Sequence, residues 1–298
     1  MKNNEFKNLS YVAHETHYKD KELCLERLTN QRSIDFWRHA RMYNLLTPLT
    51  TDKEHTKWLT VGDGVGTDAN WLKGLGIEVT ATDISTNLLK IAQSQGFIDS
   101  FQKENAEQLS LSDSSFDYVV CKESYHHFPR PYIAVYEMLR VARKAVILIE
   151  PVDIGIQMPF IVFLKNSLDV FSTELINKIW RNRFSFETVG NYVYKISERE
   201  IEKIAMGLNY PLIAFKGIND YHSNTLDFSQ PTTNLTLFRK VKTRIILKNI
   251  LSKLGLIPYQ LQSCIIFKEY PNKSILKQLN EHGYKVIQLK RNPYLTFQ

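Results

Sequence analysis

A glycine-rich turn between two short apolar strands constrains the fold of this chain more than any other feature of its sequence. It lies in the segment WLTVGDGVGTDANWLKGLGIEVTATDIS, residues 58–85. The first strand ends at Val61, a helix begins near Asp68, and a second strand closes with Asp83. Between the first strand and the helix, three glycines alternate with other residues: Gly62, Gly64 and Gly66. This order is typical of the first strand–helix–strand unit of a nucleotide-binding sheet.

The spacing within this segment indicates the kind of ligand. Glycine permits a tight turn and lets a ligand approach bare backbone, and a carboxylate at Asp83 can accept hydrogen bonds from both hydroxyls of a ribose. Dinucleotide sites instead use G-x-G-x-x-G, with the pyrophosphate on the helix N-terminus. Here the glycines fall at alternate positions, and Asp68 would place a negative charge beside a pyrophosphate. We therefore expect an adenosine-containing cofactor that is not a diphosphate.

Short apolar strands continue to alternate with amphipathic helices as far as residue 152, which predicts parallel strands joined by right-handed crossovers. After Pro151 the alternation stops, and residues 152–195 and 220–260 read as largely helical insertions. Ser197 and Glu200 form a capping-box pattern at the start of a later helix. Further strands are expected at 210–216, 262–269 and 285–290, with a basic amphipathic helix at about 237–254.

Composition excludes several classes of protein. In 298 residues, 43% are hydrophobic and 23% are charged, as in an ordinary globular chain. No apolar run approaches the roughly 20 residues of a spanning helix, and the start lacks the apolar region of a signal peptide. Three widely spaced cysteines exclude a disulfide framework and offer no paired metal-ligand spacing. We expect a soluble, cytoplasmic protein without a metal site.

Positive charge is concentrated at the C-terminal end. The net charge is +7, yet residues 239–298 contain twelve basic residues and two acidic ones. A basic end of this kind attracts phosphates on a lipid surface, a nucleotide-linked substrate or a nucleic acid. A solvated basic face that only keeps the protein soluble is an equal alternative.

Several motifs, in this order and spacing, resemble the class I S-adenosylmethionine-dependent methyltransferases that act on small molecules. They are the turn VGDGVG, the strand end at Asp83, NAEQLSL at 105–111, FDYVVCKE at 116–123, the loop SYHHFPRP at 124–131 and the strand AVILIEP at 145–151. The resemblance covers residues 58–151 and more loosely extends to Glu269. It implies an α/β, Rossmann-like fold with a mostly parallel seven-stranded sheet, a final antiparallel strand, helices on both faces and helical insertions that form a lid.

The resemblance also implies S-adenosylmethionine as the cofactor and a particular set of contacts to it. The implied cofactor-binding residues are Gly62, Asp63, Gly64, Gly66, Asp83, Ile84, Asn105, Ala106 and Lys122. Two positions depart from the family pattern. Thr60 stands where the family has an acidic residue that helps to hold the cofactor's ammonium group, and Asn105 stands where Asp is common. An amide at 105 can still accept a hydrogen bond from the adenine amino group.

Methyl transfer is an in-line displacement that needs alignment, dehydration and, for some acceptors, a base. The candidate catalytic residues are His126 and His127, whose side chains titrate near neutrality. Two adjacent histidines do not easily face one cavity, so one of them holding the loop is an open alternative. Glu123 and Glu150 close strands at the same edge and either meet the acceptor or fix loops.

The expected organisation is an N-terminal helical cap at 1–50, a methyltransferase domain at 51–270 with insertions at 152–195 and 220–260, and a helix–strand extension at 271–298. The insertions either roof the acceptor pocket or pack on the core. Tyr11 and Tyr18 are candidates for closing over the cofactor.

The expected function is methyl transfer to a small-molecule or carrier-linked acceptor. The absence of the N/D-P-P-Y/F/W tetrapeptide disfavours nucleic acid. A cofactor-binding sensor or recruitment module without turnover, an RNA methyltransferase that uses the basic end, and contact of that end with anionic membrane or phosphate groups stay open alternatives. The acceptor, the methylated atom and the oligomeric state are not indicated.

Overall fold

The computed structural model describes residues 11–12, 21–52, 55–153, 159–170, 172, 174, 185–186, 191–223 and 225–294. Their main feature is one eight-stranded sheet with the order β3-β2-β1-β4-β5-β7-β6-β8. The strands are β1 (Lys57–Val61), β2 (Glu78–Asp83), β3 (Ser100–Lys103), β4 (Phe116–Lys122), β5 (Ala142–Pro151), β6 (Leu212–Ile218), β7 (Leu261–Phe267) and β8 (Lys285–Gln288).

Six strands run in one direction and two run against them. Strands β1 to β5 pair in parallel, β7 pairs antiparallel with both β5 and β6, and β8 pairs antiparallel with β6. The expected antiparallel strand next to residues 210–216 is confirmed as β7. The sheet has eight strands rather than seven, because β8 also joins it, through a ladder that pairs Leu212 with Gln288 and Phe215 with Lys285.

The described α-helices are α1 (Lys21–Thr29), α2 (Ile34–Tyr43), α3 (Thr67–Gly74), α4 (Asn87–Ser94), α5 (Pro131–Val141), α6 (Pro159–Asp169), α7 (Glu198–Gly207), α8 (Leu235–Lys253) and α9 (Lys273–Glu281). Side-chain capping hydrogen bonds fix the N-termini of several of these helices. The Ser33 hydroxyl accepts the Phe36 N–H at the start of α2, and Ser197 and Glu200 form the expected capping box of α7. No helix in the described ranges is long and apolar enough to cross a membrane.

Helices cover both faces of the sheet, as expected. Buried residues of α3, α4 and α9, among them Leu72, Leu89 and Leu279, form one cluster with Trp58 of β1. Buried residues of α5 and α7 form the other cluster, which includes Met138. Because the central strands are apolar on both faces, their carboxyl ends are held rigidly at one edge of the sheet.

A third, smaller core joins the second insertion to the N-terminal helices. Ile34 of α2 and Val241 of α8 are fully buried there, and the rings of Trp37 and Phe238 meet edge to face at 5.0 Å. The buried Arg38 guanidinium forms a bidentate ion pair with Asp220, just beyond β6, with one bond of 3.0 Å. The second insertion therefore packs against α2. Of the first insertion, residues 154–158 and most of 171–190 lie outside the described ranges.

Candidate active site

The site lies where β1, β2, β4 and β5 end at the carboxyl edge of the sheet, the usual place for ligands in open α/β sheets. Two cavities meet there. The larger has a volume of about 380 Å³ and lies against α2 and α3. The smaller has about 60 Å³ and lies against the ends of β2 and β3. Gly62 and Ser124 line both cavities and therefore mark their junction.

Gly62 is required by a contact within the protein. Its φ is +75°, and a Cβ added to it would lie 2.5 Å from Cβ of Ser124. The Ser124 hydroxyl donates a hydrogen bond of 2.6 Å to the Gly62 carbonyl. Gly66, with φ +83°, begins α3, and a Cβ there would press on Leu89 and Ile98. Bare backbone at 62 and 66 thus serves close packing of the loop and the helix.

Asp63 occupies the N-terminus of α3. Its carboxylate accepts the backbone N–H groups of Asp68 (3.2 Å) and Ala69 (2.9 Å) and the hydroxyl of Thr60 (3.0 Å). Burial, and then the nearby Asp68, raise the pKa of Asp63 above its usual range. Because this helix end is already capped by a carboxylate, it does not offer a pyrophosphate site. Thr60, which departs from the family pattern, donates its hydroxyl to this same carboxylate.

A buried ion pair lies at the wall of the larger cavity. Lys122 Nζ is 3.2 Å from Asp68 and 3.8 Å from Glu123, and it stands over the Tyr43 ring at 5.3 Å from the centroid. Burial alone would lower the pKa of Lys122, but the carboxylates, Asp68 first, outweigh it and hold that pKa well above its ordinary value. Glu123 has φ +52°, a strained backbone conformation that is common at functional sites.

Helix α2 supplies the opposite wall of the larger cavity through His39 and Asp35. The Nδ1 atom of His39 is buried and has no hydrogen-bond partner among the described residues; the nearest carboxylate, Glu123, is 3.7 Å away. Burial, followed by the charge of Lys122, keeps the pKa of His39 well below its usual value. Neither residue was predicted from the sequence, although Asp35 and His39 are four residues apart on one polar face of α2.

The smaller cavity collects the residues expected at an adenosine site. It is lined by Asp83, Ile84, Asn105 and Ala106. The Asp83 carboxylate accepts the N–H of Ser85 at 2.8 Å, and burial raises the pKa of Asp83 to about 6. Ionised Asp83 therefore has unused acceptor capacity in a poorly solvated place, where a pair of ligand hydroxyls would bind well.

Tyr11 also lines the smaller cavity. Its hydroxyl donates to Asn105 Oδ1 at 3.3 Å, and the same oxygen accepts the Glu107 N–H at 2.9 Å. Burial, followed by the charge of Glu107, raises the pKa of Tyr11 to about 12. The acceptor expected to meet an adenine amino group is thus engaged by the protein's own hydroxyl. Tyr18 lies outside the described residues.

The two adjacent histidines have different surroundings. His126 Nδ1 lies 2.7 Å from Oε2 of Glu150, whose side chain is completely buried. His127 lines the smaller cavity, and its ring lies 4.0 Å from that of His126. Glu150 was expected as a carboxylate at a strand end, but its pairing with His126 was not predicted.

Among the expected cofactor residues, Gly62, Asp63, Gly64 and Lys122 line the larger cavity, and Asp83, Ile84, Asn105 and Ala106 line the smaller one. Gly66 packs inside the protein instead. Ser124, which joins the two cavities, was not foreseen, because the contact depends on a close approach of β1 and β4 that no local pattern reveals.

Comparison with known proteins agrees with this geometry. Residues 59–149 match the family model described as "Methyltransferase domain". The chain is 38% identical over 94 residues to methyltransferase GfsG of Streptomyces halstedii, a match that covers 29% of this chain and 34% of that protein. This chain therefore spans about a third of the length of that relative.

Among solved structures, a SAM-dependent methyltransferase from Archaeoglobus fulgidus is similar at 15% identity and a TM-score of 0.47, over 77% of this chain and 94% of the other. YcgJ protein from Bacillus subtilis is similar at 18% identity and a TM-score of 0.46, over 78% of this chain and all of the other. Both similarities are weak, and the assignment depends on the domain match. Over residues 59–149, the chain is similar to a methyltransferase domain.

Proposed function

We propose that this protein transfers a methyl group from S-adenosylmethionine to a small-molecule or carrier-linked acceptor. The observation that carries the proposal is the junction of the two cavities at Gly62 and Ser124, inside the matched domain. A ligand that is apolar and hydroxyl-bearing at one end and zwitterionic at the other fits this pair of cavities. Asp83 lies at one end and Lys122 with Asp63 at the other.

In this proposal the adenosyl end occupies the smaller cavity. Asp83 accepts hydrogen bonds from the ribose hydroxyls, Ile84 and Ala106 flank the adenine, and Asn105 accepts from its amino group once Tyr11 releases that oxygen. The amino-acid end occupies the larger cavity beside Gly64. There Lys122 faces the carboxylate, and Asp63 lies beside the ammonium group.

The cofactor supplies an electrophilic methyl group and its own leaving group. The chain's residues have three tasks: to align the reactants, to exclude water and to take a proton from the acceptor. We assign the last task to His126. Donation from its Nδ1–H to Glu150 selects the tautomer whose Nε2 is the basic nitrogen, and the buried carboxylate stabilises the imidazolium that forms. His127 faces the smaller cavity and shapes it.

We also infer a cytoplasmic location. Cys121 and Cys264 are buried free thiols, as is usual in proteins of reducing compartments.

The test is turnover with methyl-labelled S-adenosylmethionine and fractionated metabolite extract. We expect label in an acceptor fraction with the wild type and a loss of at least tenfold with Asp83→Ala. The matched control is Asp99→Ala, because Asp99 is an exposed carboxylate outside both cavities. Tight cofactor binding without label transfer in any fraction would contradict the proposal and favour a sensor.

A further inference from the structure

A second cleft opens at the same edge of the sheet, beside β5, β7 and β6. It has a volume of about 600 Å³. Lys216 near the end of β6 and Gln262 at the start of β7 contribute to its floor, and Arg41 of α2 and Lys253 of α8 contribute to its walls. We call it the basic cleft, because its charged lining residues are Arg41, Lys216, Lys253, Lys285 and the single acid Glu198.

The positive charge of the basic cleft is only partly neutralised by the protein. Glu198 is already engaged by Lys285 at 2.7 Å and by the Gln262 amide at 2.8 Å. Within the described residues, Lys216 and Lys253 have no carboxylate at ion-pair distance. Burial lowers the pKa of Lys216 and of Arg41, and for Arg41 it outweighs the carboxylate of Asp220, whose Oδ1 lies 3.9 Å from Nη1.

Two buried polar atoms in the lining also lack partners. The Nη1 atom of Arg41 has no hydrogen-bond acceptor in the described structure, and Oε1 of Gln262 has no donor there. Gln262 as a whole is only 5% exposed. Buried polar groups without partners are uncommon and costly, so each indicates a group that the protein itself does not provide. A bound group, whether ordered water or a ligand, that offers both an acceptor and a donor would satisfy the two atoms.

The cleft adjoins the proposed catalytic edge. Gln262 is the ladder partner of Glu150, which holds His126, and Gly217 is the next partner across the sheet. Neighbouring strands lie about 5 Å apart, so Lys216 lies on the order of 10 Å from β5, the strand that contains Glu150. Helix α2 is a wall of both clefts, through His39 on one side and Arg41 on the other.

We propose that the basic cleft binds a phosphate group of a hydroxyl-bearing methyl acceptor, whose reacting atom lies about 10 Å or more from that phosphate. The lysines and Arg41 hold the anion. Gln262 Oε1 accepts from a hydroxyl next to it. That the bound compound is a methyl acceptor rests on the proposed function. Phosphate binding by the cleft does not, and it can be measured without methyl transfer.

The experiment is isothermal titration of the full chain at about 0.15 M salt with inorganic pyrophosphate and with glycerol 3-phosphate. We expect saturable binding, weakened at least tenfold in Lys216→Met/Lys253→Met. The matched control is Lys90→Met, which removes an exposed positive charge from α4, whose residues do not line the basic cleft. Equal affinity in the wild type and the double variant, or no binding at millimolar ligand, would overturn the proposal.

Two further arms identify the source of the phosphate and separate this proposal from the previous one. One contrary result is that phosphatidylglycerol vesicles bind the wild type and the double variant equally while soluble phosphates bind neither. That result would overturn the cleft proposal and indicate membrane binding by the exposed apolar and basic outer face of α8. S-adenosylhomocysteine should bind the wild type and the double variant alike. Its failure to bind either, with pyrophosphate binding intact, would refute the proposed function and leave the cleft assignment standing.

Discussion

Glu150 Oε2 lies 2.7 Å from Nδ1 of His126, and Oε1 of the same carboxylate accepts the backbone N–H groups of Ser124 (2.8 Å) and Tyr125 (2.9 Å). One fully buried side chain therefore fixes the loop that follows β4 and the ring orientation of the proposed base. Because Ser124 also contacts Gly62, this relationship connects β5, β4 and the glycine turn at a single point.

Glu150→Gln should inactivate the protein through the tautomer of His126. The amide can still accept the two backbone N–H groups through its oxygen, but its NH₂ would then face Nδ1 and make that nitrogen the acceptor. Nε2 would carry the proton and lose its basicity. We expect a roughly 10²-fold loss of methyl transfer, the lower range for a general base.

Long-range proton–nitrogen NMR of His126 measures the tautomer directly, and S-adenosylhomocysteine affinity is the control, expected to change less than about twofold because Glu150 does not line either cavity. Full activity together with a reversed tautomer would contradict the role given to His126.

Asp83→Asn should stabilise the fold and weaken cofactor binding at the same time. Burial raises the folded-state pKa of Asp83 to about 6 from 3.8, so the ionised carboxylate costs stability. This cost is fully present above about pH 6 and disappears as the pH falls towards 4. The variant should therefore gain on the order of 1–3 kcal/mol in free energy of unfolding at pH 8 and almost nothing at pH 4.

Urea denaturation at the two pH values measures the gain, and titration with S-adenosylhomocysteine at pH 8 measures the loss of affinity. For the wild type, affinity should also fall as the pH drops below 6, since protonated Asp83 no longer accepts from both hydroxyls. A destabilised Asp83→Asn variant at pH 8 would show that the carboxylate is held by the protein itself.

Tyr11→Phe should tighten cofactor binding. The variant keeps the ring against the smaller cavity and removes the hydroxyl that occupies Asn105 Oδ1. A neutral hydrogen bond contributes about 0.5–1.5 kcal/mol, so the affinity for S-adenosylhomocysteine should rise by about two- to tenfold. Weaker binding would contradict this account, because it would mean that the Tyr11 hydroxyl contacts the cofactor. The control is Tyr132→Phe, which removes a hydroxyl that donates to Glu200.

Gly62→Ala should destabilise the protein for two separable reasons. A Cβ would strain a backbone with φ +75° and would overlap Cβ of Ser124 at 2.5 Å. We expect a loss of about 2–4 kcal/mol in free energy of unfolding. Ser124→Gly in the same chain should recover the part caused by overlap, although it also removes the Ser124 hydroxyl bond. An unchanged loss in the double variant would assign the whole effect to backbone strain.

The order of strands and helices was predictable because local hydrophobic periodicity and turn residues indicate where each element begins and ends. Such patterns predicted the glycine turn, the strand end at Asp83 and the Ser197 cap, and the structure contains all three. The eighth strand was foreseen as a strand but not as part of the sheet, because pairing of β8 with β6 is a contact between segments about 70 residues apart. The domain boundaries stay a prediction.

The site also has a part that was predictable from local sequence and a part that was not. Residues at a strand end, such as Asp83 and Lys122, were predicted from their position along the chain, and they line the two cavities. The pairing of Glu150 with His126 and the contact of Ser124 with Gly62 depend on distances between strands, which no single segment encodes. The basic cleft was visible only as an excess of charge, since its cations come from α2, β6, α8 and β8.

The most direct test of the account is isothermal titration of the wild-type chain and Asp83→Ala with S-adenosylhomocysteine. The account predicts one site per chain in the wild type and an affinity at least tenfold weaker in the variant, since a hydrogen bond to a charged group contributes about 1.5–3 kcal/mol. No heat of binding at millimolar ligand, or equal affinity for both proteins, would contradict it.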